Sequence, residues 1–143
     1  MTPGLIPGAR ARHAMAVRDS HLVPALFPEA APFADMPAVF ATAQMVALME
    51  WACVEQMRPF YGPGEHSVGV HVDVDHIAPT LPGQTVTVET QVESVEGRFV
   101  WFQVEAHDGL SVIGRGRHRR ALVDGAKFHD RLEARRASLA QEG

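Results

Sequence analysis

The sequence is poor in cysteine, in long apolar runs and in positive charge, and each shortage excludes a class of protein. Cys53 is the only cysteine among 143 residues, which rules out an internal disulfide and fits a reducing, cytoplasmic location. No segment approaches the roughly 20 apolar residues that a membrane-spanning helix needs. The formal net charge of −4 argues against a general affinity for nucleic acid. We therefore expect neither a membrane nor a nucleic acid as partner.

Several enzyme motifs are also missing. The sequence contains no GxSxG, Walker, GxGxxG or HExxH pattern, so serine-hydrolase, NTPase, dinucleotide and zincin assignments have no support. His71, Asp73 and Asp75 alternate on one predicted strand face, but such residues span about 13 Å, too far to meet at one ion. We expect this face to be solvated and the chain to bind no metal.

What the sequence does contain is typical of one globular domain over residues 1–143. Hydrophobic residues make up 46% and charged residues 21%, a balance that argues against disorder. The patterns predict a loosely ordered start (1–8), a first strand (9–19), a proline-broken apolar segment (20–41), a helix (42–58), a sheet (65–123) and a C-terminal helix (125–141).

The segment 20–41 combines four prolines with many apolar side chains. Proline prevents one continuous helix here, yet the segment is too apolar for a solvated loop. Long loops with their own apolar cluster often act as lids. A lid and a plug for the core are equally compatible with this composition.

The fold class follows from the helix and the strands. Residues 42–58 repeat apolar side chains at three- and four-residue steps, so this helix should be buried on several sides. Residues 65–123 alternate apolar and polar side chains as four antiparallel strands in a meander. We predict an α+β hotdog fold, in which the sheet wraps around the central helix; a generic α+β sandwich is the alternative. The exposed edge of such a sheet predicts a homodimer.

Three polar residues interrupt apolar patterns and are candidate functional groups. Glu50 lies in MVALMEWACV; a carboxylate there loses hydration unless a partner compensates, which favours a functional role over a solvated helix face. His76 closes the stripe Val68, Val70, Val72, Val74 and is either an acid–base group or a core histidine. Thr42 opens the helix and reads most simply as its N-cap.

The segment 115–120 is locally basic. Arg115, Arg117 and Arg119 share one strand face and suit either contact with coenzyme A phosphates or plain solvent exposure. Arg120 falls on the opposite face beside Gly116 and His118, which is the less usual placement for an arginine.

The chain resembles the fluoroacetyl-CoA thioesterases of the hotdog superfamily. The resemblance runs through most of the chain, and the stretches that carry it are HLVPALFPEAAPFADMPAVFAT, MVALMEWACV, SVGVHVDVDHIAPTLPG, TVTVETQVESVEGR and AHDGLSVIGRGRHRRALV. It implies a Thr-Glu-His catalytic set at Thr42, Glu50 and His76, and supporting roles for Gly69 and Arg120.

The same resemblance implies a hydrophobic lid and pocket that includes Val23, Leu26 and Phe33. It implies a dimer with no metal or prosthetic group, in which coenzyme A enters as part of the acyl-CoA substrate. Met36 stands where the fluoroacetyl-specific enzyme places a gating phenylalanine, and Ala43-Gln44 replaces a glycine-aromatic pair. Methionine fills a similar space but is more flexible.

These residues predict hydrolysis of a short acyl-CoA to a carboxylate and free CoA. Glu50 would act as nucleophile or as base for water, His76 would assist proton transfer, and Thr42 would orient the reacting groups. Two other hypotheses use the same residues: an enoyl-CoA hydratase or dehydratase of the same fold, and a non-catalytic acyl-CoA-binding module. Eight residues separate Thr42 from Glu50, about 12 Å along a straight helix. Either Thr42 precedes the helix, or the site is elongated, or it forms across a dimer interface.

Overall fold

The apolar residues at helical spacing form one long helix, and the alternating runs form an antiparallel sheet. The computed structural model describes residues 1–142 of the chain. Its elements are β1 (Arg10–Ala16), α1 (Val23–Leu26), α2 (Ala31–Ala34), α3 (Thr42–Met57), β2 (Glu65–His76), β3 (Thr85–Glu96), β4 (Phe99–His107), β5 (Val112–Asp124) and α4 (Gly125–Glu142).

The strand order in the sheet is β1-β3-β4-β5-β2. The predicted meander is correct for β3, β4 and β5 but wrong for β2, which pairs with β5 at the opposite side of the sheet. The loop 77–84 is held away from a tight turn by Thr80, whose hydroxyl donates to Asp108 Oδ2 at 2.9 Å. Both neighbours of β3 are therefore taken, by β1 and β4, and β2 becomes an edge strand.

The core lies between α3 and the inner face of the sheet. Buried side chains of the helix meet those of the strands; these include Met45, Leu48, Met49, Ala52, Cys53 and Met57 on α3, and Val86, Val88, Val92, Val100, Phe102 and Ile113 on the sheet. The expectation that the helix is buried on several sides is wrong for one side, where Ala43, Ala47 and Trp51 are exposed. One sheet covers only one face of a helix, and the other face stays open.

A β-bulge divides β2. Gly69 pairs with Arg120 but His71 pairs with Arg119, so Val70 is the extra residue. Because a bulge shifts the alternation by one residue, the valines do not form the single buried stripe that the sequence predicts. Val68 points to the opposite face from Val72 and Val74. The face that carries His76 continues through Gly69, and this placement positions the site.

The N-terminal residues 1–8, predicted to be loosely ordered, are held against the rest of the fold. Leu5 is 6% exposed and belongs to the core, and the backbone N–H of Thr2 donates to the Phe60 carbonyl at 2.8 Å. The Met1 ammonium lies 3.0 Å from Glu65 Oε1. Among residues 1–142, the helices are all too short or too polar to cross a bilayer.

The two ends of the segment 20–41 contact each other. Leu22 and Phe40 form an isolated antiparallel bridge and are both buried. The backbone N–H of Phe40 also donates to the Thr80 carbonyl at 2.9 Å, which ties the end of the lid to loop 77–84. Between these ends, α1 and α2 are single helical turns with proline as their second residue. The lid is therefore a long loop anchored at its base, with its tip facing solvent.

Candidate active site

Glu50 is held by a buried arginine. Arg120, on β5, donates from Nη1 to Glu50 Oε1 at 3.1 Å. The side chain of Arg120 is 7% exposed and that of Glu50 is 41% exposed. The sequence singles out Glu50 as an acid among apolar residues, but it does not predict that the side chain is partly exposed. The side chain is half-open because the outer face of α3 is uncovered, and Arg120 supplies the compensating charge.

Ser67 and Tyr61 fix the other end of the guanidinium. Arg120 Nε donates to Ser67 Oγ at 2.9 Å, and Nη2 donates to the Ser67 carbonyl at 3.0 Å. The Tyr61 and Ser67 hydroxyls lie 2.6 Å apart. Arg120 thus serves to hold a carboxylate inside the fold. Arg117 and Arg119 lie on the outer face, where Arg117 pairs with Glu93 and Arg119 stacks on Phe99.

Gly69 makes room for this ion pair. A Cβ atom at Gly69 would lie 2.4 Å from Glu50 Oε1, 3.2 Å from His118 Cε1 and 3.4 Å from Arg120 Nη1. No side chain fits in that space without moving the carboxylate, so glycine is required by a close approach. The structure places the Glu50 carboxylate against Gly69, a contact that the sequence does not predict.

Thr42 and His76 form a second group. Thr42 Oγ1 lies 2.7 Å from His76 Nδ1. Thr42 is the first residue of α3, and the helix has no side-chain N-cap, since Ala41 occupies that position. The interpretation of Thr42 as an N-cap is therefore wrong. Burial lowers the pKa of His76 below its ordinary value, so the ring is a neutral base near pH 7.

The Thr42–His76 pair lines an apolar cavity of about 360 Å³. Its walls come from the base of the lid and from the loop after β2, namely Val23, Val39, Phe40, Ile77, Ala78 and Pro79. Of the predicted lid residues, Val23 reaches this cavity. Leu26, Phe33 and Met36 do not line it: Phe33 packs edge-on against Phe27 with ring centroids 5.0 Å apart, and Met36 is 51% exposed.

The two groups are separate within one chain. Glu50 lies two turns of α3 beyond Thr42, about 12 Å along the helix axis, and Gly69 lies seven residues before His76, about 23 Å along an extended strand. Glu50 has Arg120 as its hydrogen-bond partner and His76 has Thr42. Of the three arrangements left open by the sequence, a helix that begins after Thr42 is excluded.

His118 belongs to the Glu50 group and is not among the residues predicted for the site. Its Nε2 lies 3.1 Å from Arg120 Nη1, and its Nδ1 lies 2.8 Å from the His71 carbonyl oxygen. The sequence signal was its place on the same inner strand face as Arg120. Cys53 is fully buried nearby, and burial raises the pKa of its thiol, so it is a neutral apolar contact. Among residues 1–142, no group of three or more His, Cys, Asp or Glu residues is arranged to hold a metal ion.

Comparison with known proteins identifies the family of this chain. The profile of the family described as FlK, fluoroacetyl-CoA-specific thioesterase, matches residues 25–126. The chain is 46% identical over 132 residues to the fluoroacetyl-CoA thioesterase of Streptantibioticus cattleyicolor, covering 92% of this chain and 95% of that one.

Solved structures agree with this assignment. A structure of the fluoroacetyl-CoA thioesterase FlK superposes with a TM-score of 0.89 at 46% identity, covering 92% of this chain and 97% of that one. The Thermus thermophilus protein TTHA0967, described as a thioesterase superfamily member, gives a TM-score of 0.82 at 31% identity over 99% of this chain and 98% of that one. The predicted hotdog fold is confirmed, and the chain belongs to the fluoroacetyl-CoA-specific thioesterase family as a thioester hydrolase.

Proposed function

We propose that this chain hydrolyses short acyl-CoA thioesters to a carboxylate and free CoA, at a site that two copies of the chain build together. The observation that carries the proposal is the state of Glu50. Its Oε1 is anchored by Arg120, while Oε2 has no hydrogen-bond partner among residues 1–142 and the side chain is 41% exposed. A carboxylate held on one oxygen and open on the other suits attack on a carbonyl or activation of water.

In the water route, Glu50 removes a proton from water as the water oxygen attacks the thioester carbon. The C–S bond then breaks, and the leaving sulfur receives a proton by way of His76. In the covalent route, Glu50 Oε2 attacks the same carbon, the C–S bond breaks and the CoA sulfur leaves, receiving a proton by way of His76. Water then hydrolyses the resulting anhydride, which releases the carboxylate and regenerates Glu50. Both routes need a group that moves protons near neutral pH, which the neutral ring of His76 supplies. Thr42 orients that ring through Nδ1.

In the proposed dimer, the Glu50 group of one subunit lies beside the Thr42–His76 pair of the other. The β2 edge is twelve residues long and exposes Val70 (47%) and Val72 (43%), whereas the β1 edge is shorter and carries Arg10 and Arg12. Both edges carry charged residues, including the exposed Asp73 and Asp75 on β2, but the longer edge with exposed valines offers more backbone and apolar surface for pairing. Antiparallel pairing of β2 with its copy, centred on Asp73, sets Val72 opposite Val74. Because Val70 is the extra residue of the bulge, the same pairing sets Gly69 opposite His76 of the second subunit.

The exposed face of α3 favours the same arrangement. The midpoint between Thr42 and Glu50 is Val46, flanked by the exposed residues Ala43 and Ala47. Small side chains allow two helices to pack closely, and an antiparallel pair centred on Val46 brings Thr42 of one subunit towards Glu50 of the other. Strand and helix thus point to one twofold axis. We propose a homodimer in which each site takes Glu50, Gly69 and Arg120 from one subunit and Thr42 and His76 from the other.

The acyl group we propose is short, and we place it in the solvent-open cavity of about 360 Å³ beside Thr42 and His76. Solved relatives support this size: one FlK variant is described in complex with fluoroacetate and CoA, and another in complex with acetyl-CoA. CoA enters as substrate, and we propose no resident cofactor. The cytoplasmic location stays a prediction.

A thiol-release assay with acetyl-, fluoroacetyl-, propionyl- and phenylacetyl-CoA tests the proposed activity, with crotonyl-CoA hydration measured in parallel. We expect release of free CoA and no hydration, and a loss of about 10²–10⁴ in kcat for Glu50→Gln. Glu55→Gln is the matched control: it lies on the same helix, where it pairs with Arg58 at the surface, and should keep its rate. Glu50→Gln hydrolysis near the unmodified rate would remove Glu50 from the mechanism, and hydration of crotonyl-CoA without thiol release would replace the proposal with a hydratase.

A further inference from the structure

His118 has a defined proton arrangement in the Glu50 group. The residue is 1% exposed. Its Nε2 lies 3.1 Å from Arg120 Nη1, and a guanidinium only donates hydrogen bonds. Nε2 must therefore accept and carry no proton. The ring proton sits on Nδ1 and is donated to the His71 carbonyl at 2.8 Å.

We propose that His118 is a positioning residue for the hydrolysis: its neutral ring, protonated at Nδ1, directs Arg120 Nη1 at Glu50. This inference rests on the proposed function, since it assigns Glu50 a task that needs a fixed carboxylate. His118 Nε2 itself lies 4.0 Å from Glu50 Oε1, beyond hydrogen-bond distance. It acts on the acid through the arginine.

The hydrogen bonds of Arg120 show why one more acceptor matters. Ser67 takes the Nε and Nη2 hydrogens with its hydroxyl and carbonyl oxygens. These bonds fix the planar guanidinium but leave both Nη1 hydrogens in need of acceptors. Nη1 has two hydrogens, of which one goes to Glu50 Oε1 and the other to His118 Nε2. With both in place, four of the five N–H groups of the buried guanidinium have acceptors.

The bulge in β2 makes the arrangement possible. Arg120 lies opposite Gly69, before the bulge, and His118 lies opposite Val72, after it. His71 is the first residue after the bulged Val70, and its carbonyl accepts the His118 Nδ1 proton. The imidazole is thereby held by β2 on one side and presented to Arg120 on the other.

The charged and titratable groups around His118 decide its response to pH. They are Glu50 and the neutral thiol of Cys53 on α3, Arg120 on β5, and the ring of His71 on β2. Burial lowers the pKa of His118, the Arg120 charge lowers it further, and Glu50 opposes both. The ring is neutral at pH 7. Protonation at lower pH would turn Nε2 into a donor, remove the acceptor for Nη1 and place a second cation beside Arg120.

Two amide substitutions of His118 distinguish the roles of its two ring nitrogens. In His118→Gln the amide oxygen reaches the position of Nε2 and still accepts from Arg120, whereas in His118→Asn the amide nitrogen replaces only Nδ1 and the acceptor is lost. We expect kcat/KM at pH 7.5 to fall about tenfold or more for His118→Asn, with His118→Gln within about threefold of the unmodified enzyme.

Nitrogen-15 NMR of the full-length protein gives a readout that does not need turnover. We expect His118 to be neutral at pH 7 with the proton on Nδ1. A proton on Nε2, or equal kcat/KM for the Asn and Gln variants whether high or low, would overturn the inference. If the unmodified protein releases no CoA from any acyl-CoA, the proposed function fails. In that case the tautomer measured by NMR still shows whether His118 Nε2 accepts a hydrogen bond from Arg120. Thermal unfolding of each variant confirms that the compared proteins are folded.

Discussion

The Glu50 group and the Thr42–His76 pair differ in how completely one chain builds them. Arg120 brings together Glu50, His118 and Ser67 through buried hydrogen bonds. Thr42 and His76 share one hydrogen bond at the mouth of an open cavity, and His76 Nε2, although buried, has no partner among residues 1–142.

This difference indicates that the two groups have different tasks. A carboxylate that must act on a carbonyl is useful only at a fixed position, and the buried arginine fixes it before substrate arrives. A proton-transfer pair needs a neutral base with a free nitrogen facing the substrate, which the Thr42–His76 pair offers. The contrast also explains the proposed dimer, because the complete group of one subunit faces the incomplete group of the other.

The largest expected effect comes from crowding the fixed carboxylate. Gly69→Ala places a Cβ 2.4 Å from Glu50 Oε1. The side chain of Glu50 is flexible at its end, so we expect the protein to fold with little change in Tm while the carboxylate is displaced. Displacements of about 1 Å at a catalytic group cost about 10²-fold, and we expect that loss in kcat/KM.

Gly62→Ala is the control for this substitution, because the nearest atom to its Cβ, Glu65 Oε1, lies 4.0 Å away. Its kcat/KM should stay close to that of the unmodified enzyme. Full activity of Gly69→Ala would show that the position of Glu50 is not critical, and the contrast between the two groups would lose its functional meaning.

An intermediate effect is expected from pH. Burial lowers the pKa of His76 and of His118, so both rings stay neutral as the pH falls through 6.5. The profile of kcat/KM should therefore be flat through pH 6.5 and decline below it, about tenfold per pH unit for a single essential base. Steady-state rates between pH 5 and 8 measure this. A decline that begins above pH 7 would contradict a neutral His76 as the acting base.

The smallest effect is expected at the lid. Met36 is 51% exposed at the lid tip, so Met36→Phe should leave the free energy of unfolding within about 0.5 kcal/mol. If residue 36 gates the site as the resemblance implies, a rigid ring there should raise the ratio of kcat/KM for fluoroacetyl-CoA over acetyl-CoA by a few fold, although Met36 does not line the cavity in this structure. The two ratios, measured side by side, decide the matter, and an unchanged ratio would remove Met36 from substrate selection.

The sequence identified the elements and the unusual charged residues better than it identified which residues contact each other. Periodicity located α3 and the strands because each element buries a regular apolar face. It failed at β2, where the bulge at Val70 changes the face on which side chains lie, a result of pairing that one strand cannot reveal. Glu50 stood out as a charge among apolar residues, and Arg120 stood out as an arginine on the less usual strand face. Their contact did not, because it joins residues 70 positions apart.

His118 shows the same limit. Histidine on an inner strand face has two readings, and only the distances to Arg120 and the His71 carbonyl distinguish them. The N-cap interpretation of Thr42 is wrong by one residue, because Ala41 is the N-cap and Thr42 lies in the first turn, where its hydroxyl bonds to His76. Periodicity and capping preferences predict structure that neighbouring residues determine, whereas the contacts of this site join residues far apart in the sequence.

Subunit complementation tests the shared site most directly. Glu50→Gln and His76→Ala chains, each inactive alone, are mixed under conditions that exchange subunits, and CoA release is measured. If each site takes Glu50 from one chain and His76 from the other, the mixed dimer contains one intact site, and activity returns to a substantial fraction of that of the unmodified dimer. If exchange is verified and the mixture stays inactive, Glu50 and His76 act within a single chain and the shared site is wrong.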